Sequence, residues 1–427
     1  MTRTGELVMS AAAAGLAAFG VTLVNLAGGG TIDAQVGITF LVVLLALGSV
    51  HVAVRQWCPG ASPHLLPLVG LLAAIGFIEI YRLDRYRAGL QRWWLLIAAA
   101  TAVGFLFWVR RRGLATLRRY RYIFLLASSV LLMLPLLPST GPLPLHGLEM
   151  NGSRLWVTLD VGFTVLHFQP GELAKLVFIA FLASYLAERQ TGLAAKKLSG
   201  LVEPRLLLPL VLVWLGSVIV LVVQRDLGAS LLLFAAFVAV LYAATGRAAY
   251  LGVGGLLFGG GAVMSWVMFD HVQRRVEAWL RPFQVYDDAG FQISQGLFAL
   301  GTGSLSGSGP GLGRPYLIPN ATTDFMFAAV GEEFGLAGSV AVLAAFALLA
   351  AVGFGIALRA RERYRKLLAG GLAFVIGLQA MLIIGGVLRV LPLTGITLPF
   401  MSYGGSSLLG NMLGVAVLLR ISHEERT

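Results

Sequence analysis

"TTDFMFAAVGEEFGLAGSVAVLAAFALLAAVGFGIAL", residues 322–358, sets Asp324, Glu332 and Glu333 at the start of, or inside, a long apolar run. A run of about 18 or more apolar residues predicts a helix that spans a membrane. A carboxylate buried in such a helix costs roughly 2.5–3.5 kcal/mol on insertion scales. Because charged groups inside membranes are usually paired or functional, these three carboxylates need an explanation.

The composition of the whole chain supports a membrane protein. Of the 427 residues, 58% are hydrophobic and 12% are charged, whereas a soluble domain carries about 25% charged residues. We therefore expect an all-α integral membrane protein, a polytopic helical bundle. The single cysteine, Cys58, excludes an internal disulfide framework and a Cys-rich metal site. The net charge of +12 comes from basic clusters between apolar runs, so it does not indicate a nucleic-acid partner.

Apolar runs long enough to cross the bilayer recur along the chain. We predict about twelve transmembrane helices, with two long loops at residues 138–169 and 270–323. Loops of this length are usually functional or disordered, and the Gly-, Arg- and aromatic-rich composition of the second predicts an ordered loop. The predicted spans lie near residues 6–28, 34–54, 65–81, 91–109, 122–137, 171–187, 206–223, 227–244, 248–269, 324–358, 367–391 and 399–420.

Basic clusters predict the orientation of these spans. They fall in alternating loops on one side, which the positive-inside rule assigns to the cytoplasm. Both termini are then cytoplasmic and the two long loops face outward. The basic loop at residues 81–92 disagrees, because it must lie outside. The clusters that agree are residues 110–122, Lys196–Lys197, residues 359–366 and the tail from Arg420.

Several polar motifs lie at one predicted depth, the outer ends of the helices. "QPGELAKL" (169–176), Asp324 and "LPFMSYGGSS" (398–407) each open a helix from the outer side, and "QRDLG" (224–228) forms an outer turn. Independent structural accidents would scatter such groups over both faces. A shared outer-facing cavity explains their common depth more simply.

Each of these groups also has a structural interpretation. Glu172 and Lys175 stand at i and i+3 on one helix face, so they could simply form an ion pair. Asp324 could be a helix N-cap. Glu332 and Glu333 lie two to three turns deeper, where adjacent carboxylates do not both ionise easily. For this pair we favour a structural role, with one group protonated or bonded to the backbone.

Other outer-side residues are candidates for binding an anion or a diphosphate. Ser402, Gly404, Gly405 and Ser406 begin the last helix, where backbone N–H groups can hold an anion; small residues there could equally serve close helix packing. Arginine suits a diphosphate because its fork binds two oxygens. Arg154 and Arg275 are candidates of this kind, and Asp226 is a further outer-side candidate for support of the site or for diphosphate binding. Anchoring to lipid headgroups is the structural alternative.

At these motifs the chain resembles a known family. "LPFMSYGGSSLL" (398–409) is similar to the signature of the RodA/FtsW/SpoVE proteins, the shape, elongation, division and sporulation (SEDS) family. The resemblance covers about residues 65–420. It implies a family core of ten membrane helices in residues 61–427, preceded by two extra N-terminal helices in residues 1–60. Further segments that resemble the family, in the same order, are "NGSRLWV" (151–157), "FQPGELAKL" (168–176), "QRDLGAS" (224–230) and residues 290–338.

This resemblance implies a RodA-like peptidoglycan glycosyltransferase that polymerises lipid II at the outer face of the bacterial plasma membrane. Such an enzyme releases undecaprenyl diphosphate and works with a class B penicillin-binding protein in cell elongation or division. The essential aspartate of the family falls on Asp324, which would act as the general base. The Glu and Lys of the "ELAK" segment fall on Glu172 and Lys175. Lys175 would keep Asp324 ionised or bind the diphosphate.

Two departures from the family pattern limit this transfer. Relatives typically read His-Thr-Asp-Phe, and here Thr322 stands in place of the histidine, so no role that needs a histidine is carried over. Relatives often read Gln-Pro-Asp, and here residue 225 is Arg225. Neither change touches Asp324.

Two other classes of function stay open from the sequence. A flippase that moves lipid II would also have a dozen helices with buried charge, but transport needs polar groups through the whole depth and often shows internal repeats. A scaffold that only recruits a synthase would leave the gathered carboxylates unexplained. The sequence requires no cofactor, although a divalent cation (Mg²⁺ or Mn²⁺) could share the charge of the leaving group.

Overall fold

The computed structural model describes residues 1–139, 145–150, 153–160, 165–189 and 204–426. Within these residues, ten helices are long and apolar enough to cross a membrane. Two more apolar helices, Arg121–Met133 and Pro204–Val223, occupy the remaining predicted spans. The predicted all-α, multi-pass membrane fold is therefore confirmed.

The helix bounds follow the hydropathy of the sequence closely. Pro170 stands at the first position of its helix, where a proline loses no hydrogen bond. The helices are α1 Arg3–Ala27, α2 Ala34–Trp57, α3 Leu65–Leu83, α4 Arg85–Arg112, α5 Ala115–Arg119, α6 Arg121–Met133, α7 Pro170–Glu188, α8 Pro204–Val223, α9 Leu227–Thr245, α10 Ala249–Met268, α11 Asp270–Leu280, α12 Phe291–Gly303, α13 Met326–Arg359, α14 Arg363–Val387 and α15 Gly405–Glu424.

The chain divides into two compact units. The first contains Met1–Phe107, Gly261–Val352 and Ile376–Thr427, and the second contains Trp108–Gly260 and Gly353–Val375. Long helices pass from one unit to the other, so the division does not follow helix ends. Asp324 and the last helix belong to the first unit, and the "ELAK" segment belongs to the second.

In the first unit, α1 and α2 pack as integral parts and not as a loose extension. A Cβ on Gly20 of α1 would stand 2.2 Å from Ile78 Cδ1 of α3, so a glycine is needed for this close helix approach. Glu6 of α1 is buried, with Arg3 as one partner and the Nδ1 atom of His51 in α2 3.1 Å away. A buried carboxylate is thereby paired, as membrane burial requires.

Helix α13 differs from the continuous span that the apolar run predicts. Gly335 interrupts it with a backbone conformation (φ 65°, ψ −163°) that disfavours other residues. A Cβ there would lie 2.2 Å from the amide nitrogen of Gly307. The Leu336 N–H donates to the Ser304 carbonyl at 2.9 Å. The helix therefore kinks where the glycine-rich loop crosses it.

The last helix begins later than the sequence predicts, at Gly405 and not near residue 399. Residues 388–404 form a non-helical segment in which Arg389 and Phe400 have positive φ angles of 59° and 65°. Pro392 and Pro399 have no N–H to donate to a helix. This segment carries Ser402 and Gly404 outside the helix and places them beside the turn that contains Asp324.

In the second unit, the predicted loop at residues 138–169 contains a three-stranded antiparallel sheet that the prediction missed. Strands β1 (Leu145–Met150), β2 (Ser153–Asp160) and β3 (Val165–Phe168) pair in the order β1-β2-β3. Val157 in β2 is fully buried, whereas Arg154 is exposed. The alternating pattern of strands this short is weak compared with the twelve strong apolar runs. This explains why the strands were not predicted.

Candidate active site

Asp324 lies in a turn just before α13. The helix begins two residues later, at Met326, and Phe325 directly precedes it. Asp324 is therefore not the N-cap of the helix. Its side chain is only partly exposed.

Two hydrogen bonds hold this turn against the "SYGGSS" segment. The Ser402 hydroxyl donates to the Thr323 carbonyl at 2.6 Å, and the Tyr403 N–H donates to the Thr322 carbonyl at 2.8 Å. Ser402 in turn accepts a hydrogen bond from the Leu398 N–H at 2.9 Å. Two motifs that the sequence suggested separately are thus joined directly through their backbones.

Arg275 of α11 reaches the same place. Its Nη1 donates to the Thr394 carbonyl at 3.4 Å. The point at which a Cβ on Gly395 would stand lies 3.7 Å from Arg275 Nη2 and 3.9 Å from Asp324 Oδ2. Gly395 has a φ of 73°, a backbone conformation that favours glycine. The predicted site residues Asp324, Arg275 and Ser402 are therefore brought together in one unit.

The surroundings of Asp324 change its acidity. Burial raises the pKa of Asp324 to about 6, against opposing contributions from the Thr323 hydroxyl and the Arg275 cation. A catalytic base works best when its pKa lies near the working pH. At neutral pH this carboxylate is ionised, yet it is a stronger base than an ordinary aspartate.

Arg87 at the start of α4 was missed by the sequence analysis. Its Nη1 donates to the Thr322 hydroxyl at 2.7 Å, and its guanidinium lies 5.4 Å from the centre of the Tyr403 ring. A cation at this distance is attracted by the aromatic face. Arg87 therefore binds both sides of the joint between the turn at residues 322–324 and the segment that carries Ser402 and Tyr403. Its partner Thr322 is one of the positions at which the sequence departs from the pattern of the family that it resembles.

The signal that could have found Arg87 was the basic loop that breaks the positive-inside pattern. Several of its arginines bind within the first unit. Arg82 lies 3.3 Å from Glu333 Oε1 and donates to the Gly313 carbonyl at 3.2 Å, and Arg92 has Gln35 as a partner at 2.6 Å. Arginines that are bound in such contacts do not indicate on which side of the membrane their loop lies.

The glycine-serine segment of the last helix is closely packed. A Cβ on Gly405 would stand 2.0 Å from the indole ring of Trp94, so this glycine serves close helix contact, as the structural alternative proposed. Ser406 is buried, and Gly404 has an extended backbone with φ 166°. A part for Gly404, Gly405 and Ser406 in substrate binding stays a prediction.

Glu332 and Glu333 bind the backbone of the glycine-rich loop. Glu332 Oε1 accepts from the Arg314 N–H at 2.7 Å, and Glu333 Oε2 accepts from the Gly311 N–H at 2.8 Å. Hydrogen bonds to charged groups are worth about 1.5–3 kcal/mol each, which offsets much of the insertion cost. This is the structural role that the sequence analysis favoured for the pair.

The remaining predicted residues lie in the second unit. Lys175 Nζ is 2.9 Å from Glu172 Oε1, and both side chains are buried; the predicted i,i+3 ion pair is present. Arg154 pairs with Glu149 at 3.0 Å on an exposed surface. Asp226 is the N-cap of α9 and accepts from the Ala229 N–H at 2.8 Å. The suggested action of Lys175 on Asp324, diphosphate binding by Arg154, and a support or diphosphate-binding role for Asp226 stay predictions.

The chain is similar to known proteins over most of its length. Residues 62–427 match the family model of the FtsW/RodA/SpoVE cell cycle proteins. The chain belongs to this family. A peptidoglycan glycosyltransferase RodA of Mycobacterium tuberculosis is 41% identical over 402 residues, which cover 90% of this chain and 83% of the relative. The stage V sporulation protein E of Bacillus subtilis is 32% identical and covers 86% of this chain and 98% of its own.

Solved structures agree with this family membership. A chain from a peptidoglycan synthase complex, described as structurally coordinating polymerization and crosslinking, superposes with a TM-score of 0.69 at 26% identity, covering 86% of this chain and 98% of that chain. The rod shape determining protein RodA of Thermus thermophilus has a TM-score of 0.58 at 28% identity, covering 86% and 97%.

We predict that the Asp324 carboxyl titrates with a midpoint near the pKa of about 6. Difference infrared spectroscopy between the unaltered protein and Asp324→Asn isolates its carboxylate band. Arg275→Gln should raise the midpoint, because the lost cation no longer favours the ionised form. Arg281→Gln, which removes an exposed arginine just after α11, should leave the midpoint unchanged. Equal midpoints in the unaltered protein and Arg275→Gln would show that Arg275 does not act on Asp324.

Proposed function

We propose that this protein is a peptidoglycan glycosyltransferase that polymerises lipid II into glycan strands at the outer face of the bacterial plasma membrane. One observation carries the proposal: Asp324 is held at a helix end beside Arg275, with a pKa raised to about 6. Relatives that share 41% identity bear the name peptidoglycan glycosyltransferase. The name describes those proteins, and the site gives this chain a group suited to the same chemistry.

The proposed orientation restricts the substrate. Basic clusters favour a cytoplasmic location for both termini, although the Lys196–Lys197 cluster lies outside the described residues. Asp324 then faces outward, where cytosolic nucleotide sugars have no access. A sugar donor must therefore arrive on a lipid. Lipid II supplies an undecaprenyl chain for the membrane, a diphosphate for cationic side chains and a disaccharide-pentapeptide for a polar opening.

The proposed reaction transfers a glycosyl unit between two lipid-linked molecules. The Asp324 carboxylate takes the proton of an acceptor glucosamine hydroxyl. The oxygen of that hydroxyl then forms a bond to C1 of the donor muramyl unit, while the bond from C1 to the diphosphate oxygen breaks. Undecaprenyl diphosphate leaves with the bonding electrons, and the Arg275 cation is placed to stabilise its charge.

A divalent cation remains a separate proposal. In the part of the chain that the structure describes, no three His, Cys, Asp or Glu side chains are grouped as metal ligands. Mg²⁺ or Mn²⁺ would draw most of its ligands from the substrate diphosphate and water, as Mg²⁺ commonly does. When bound, it would share the charge of the leaving group.

A class B penicillin-binding protein is the proposed partner. The support comes from the structural relative that belongs to a peptidoglycan synthase complex coordinating polymerization and crosslinking. A transpeptidase in the same membrane would crosslink the strands that the glycosyltransferase makes. The alternative of a lipid II flippase is not favoured, because the named relatives are glycosyltransferases.

Asp324→Asn should abolish glycan synthesis from purified lipid II, because an amide cannot take the proton of the acceptor. The product is measured as polymer on a gel, with the partner protein added or omitted. In the unaltered protein the rate should fall as the pH drops below about 6, since only the ionised carboxylate is a base.

Asp287→Asn provides the matched control, because Asp287 is exposed on the same long loop; it should keep the rate of the unaltered protein. Labelled lipid II in proteoliposomes should cross the bilayer only at the background rate. Polymer from Asp324→Asn at the normal rate would refute the role of Asp324. Rapid flipping without any polymer would assign the chain to the transporters.

We further propose that residues 1–60 are an addition to a catalytic core in residues 61–427. The family model begins at residue 62, which supports this division. A protein lacking residues 1–60 keeps its orientation, because two spans are removed. It should melt at a lower temperature, since α3 loses the packing around Gly20, but it should still form polymer. A well-folded truncation without turnover would show that α1 and α2 shape the active site.

A further inference from the structure

A cavity lies in the first unit, beside the glycine-rich loop and apart from Asp324. Its volume is about 340 Å³. The polar residues that line it are Gln295, Thr302, Ser308, Arg314 and Glu332. Asp324, Arg275 and Ser402 are not among its lining residues. Glu332 stands eight residues after Asp324, about 12 Å along the chain axis at helical rise, so this is a separate site.

Only one oxygen of the Glu332 carboxylate has a hydrogen-bond partner among the described residues. Oε1 accepts from the Arg314 N–H, but Oε2 has no hydrogen-bond or ion-pair partner among the described residues. The side chain is 4% exposed, and the accessible part faces the cavity that it lines. Oε2 is not among the fully buried atoms that lack a partner, so it is accessible to a hydrogen-bond donor. The cavity therefore offers a place for a ligand that donates hydrogen bonds.

The neighbouring hydroxyls cannot supply that donor. Ser308 donates its single hydroxyl proton to the Glu332 carbonyl at 3.0 Å, and Thr302 donates to the Phe298 carbonyl at 2.9 Å. What these oxygens present to the cavity is lone pairs. Together with Glu332 Oε2, they form an acceptor-rich wall that matches a primary ammonium group.

The opening of the cavity has a different character. Arg314 is exposed, and its guanidinium makes no ion pair or hydrogen bond with any described residue. Around it, Phe298, Leu312 and Leu317 are 51%, 65% and 50% exposed. A free guanidinium suits a phosphate. Exposed apolar side chains in a membrane protein suit hydrocarbon chains.

We propose that this cavity binds the headgroup of an aminophospholipid of the outer leaflet. The primary ammonium donates to Glu332 Oε2, the phosphate binds Arg314, and the acyl chains lie against Phe298, Leu312 and Leu317. Glu332 is six residues into α13, about 9 Å from its first residue. The outward orientation of this site rests on the proposed function.

The bound lipid would brace the loop that reaches α13. Ser308 and Arg314 belong to the glycine-rich loop and also line the cavity. A Cβ on Gly313 would lie 3.3 Å from the Glu332 carboxyl carbon and 2.9 Å from Ser308 Oγ, so only glycine leaves the carboxylate open. Occupancy of the cavity therefore links the composition of the membrane to the order of this loop.

Native mass spectrometry of the purified full chain in detergent tests the proposal without any need for turnover. Phosphatidylethanolamine and phosphatidylcholine with identical acyl chains are titrated in turn, because choline has no N–H to donate. The unaltered protein should retain phosphatidylethanolamine about tenfold more tightly, as a charge-assisted hydrogen bond implies. Glu332→Gln should lose this preference, because the amide keeps an acceptor for the Arg314 N–H but no negative charge.

Three further variants complete the test. Glu277→Gln removes an exposed carboxylate of α11 and should keep the preference. Arg314→Gln should weaken both lipids alike, since both carry the phosphate. If Glu332→Gln does not fold, Ala299→Leu fills the cavity without touching a carboxylate and should reduce binding of both lipids.

Three results would overturn the proposal. The first is equal retention of the two lipids by the unaltered protein, and the second is an unchanged preference in Glu332→Gln. The third comes from lipid II with an acetylated peptide amine: a loss of turnover that disappears in Glu332→Gln would assign the cavity to the substrate peptide. Failure to polymerise lipid II at all would count against the proposed function and leave the lipid titration interpretable.

Discussion

The turn that carries Asp324 depends on one hydroxyl. Ser402 accepts from the Leu398 N–H and donates to the Thr323 carbonyl, so a single side chain ties the non-helical segment before the last helix to the residue next to the carboxylate. Tyr403 and Arg87 strengthen the same joint from either side. Without it, the partly buried carboxylate would have no fixed position relative to Arg275. A misplacement of a catalytic base by about 1 Å can change the reaction rate by a large factor.

A second joint governs the other end of the same region. Glu332 and Glu333 bind backbone N–H groups of the glycine-rich loop, and Gly335 allows that loop to cross α13 at its kink. Irregular backbone at membrane depth is tolerated when its polar groups are satisfied by protein. The carboxylates in the apolar run thus divide into two kinds. Two of them hold a loop, and Asp324 interacts with the Thr323 hydroxyl and the Arg275 cation.

Much of this organisation was predictable from the sequence. There are physical reasons why the remaining features were not. Spans depend on composition over some twenty residues, so hydropathy located all of them. The ion pair of Glu172 and Lys175 followed from helix periodicity alone. Arg87 and the kink at Gly335 depend on which distant residues meet, and a pattern along the chain carries no such information. The small sheet around Val157 was hidden by its short strands. The late start of α15 at Gly405 reflects tertiary hydrogen bonds of Ser402.

Lipid II polymerisation by Ser402→Ala, compared with Ser294→Ala, tests whether the Ser402 hydroxyl positions Asp324. Ser294 lies in the same unit, is fully buried, and its hydroxyl has no partner among the described residues, so its removal controls for loss of a buried hydroxyl. Ser402→Ala should reduce turnover by about tenfold or more, with binding of lipid II retained. Ser294→Ala should keep normal turnover. Normal turnover in Ser402→Ala would contradict the claim that this joint positions the catalytic carboxylate.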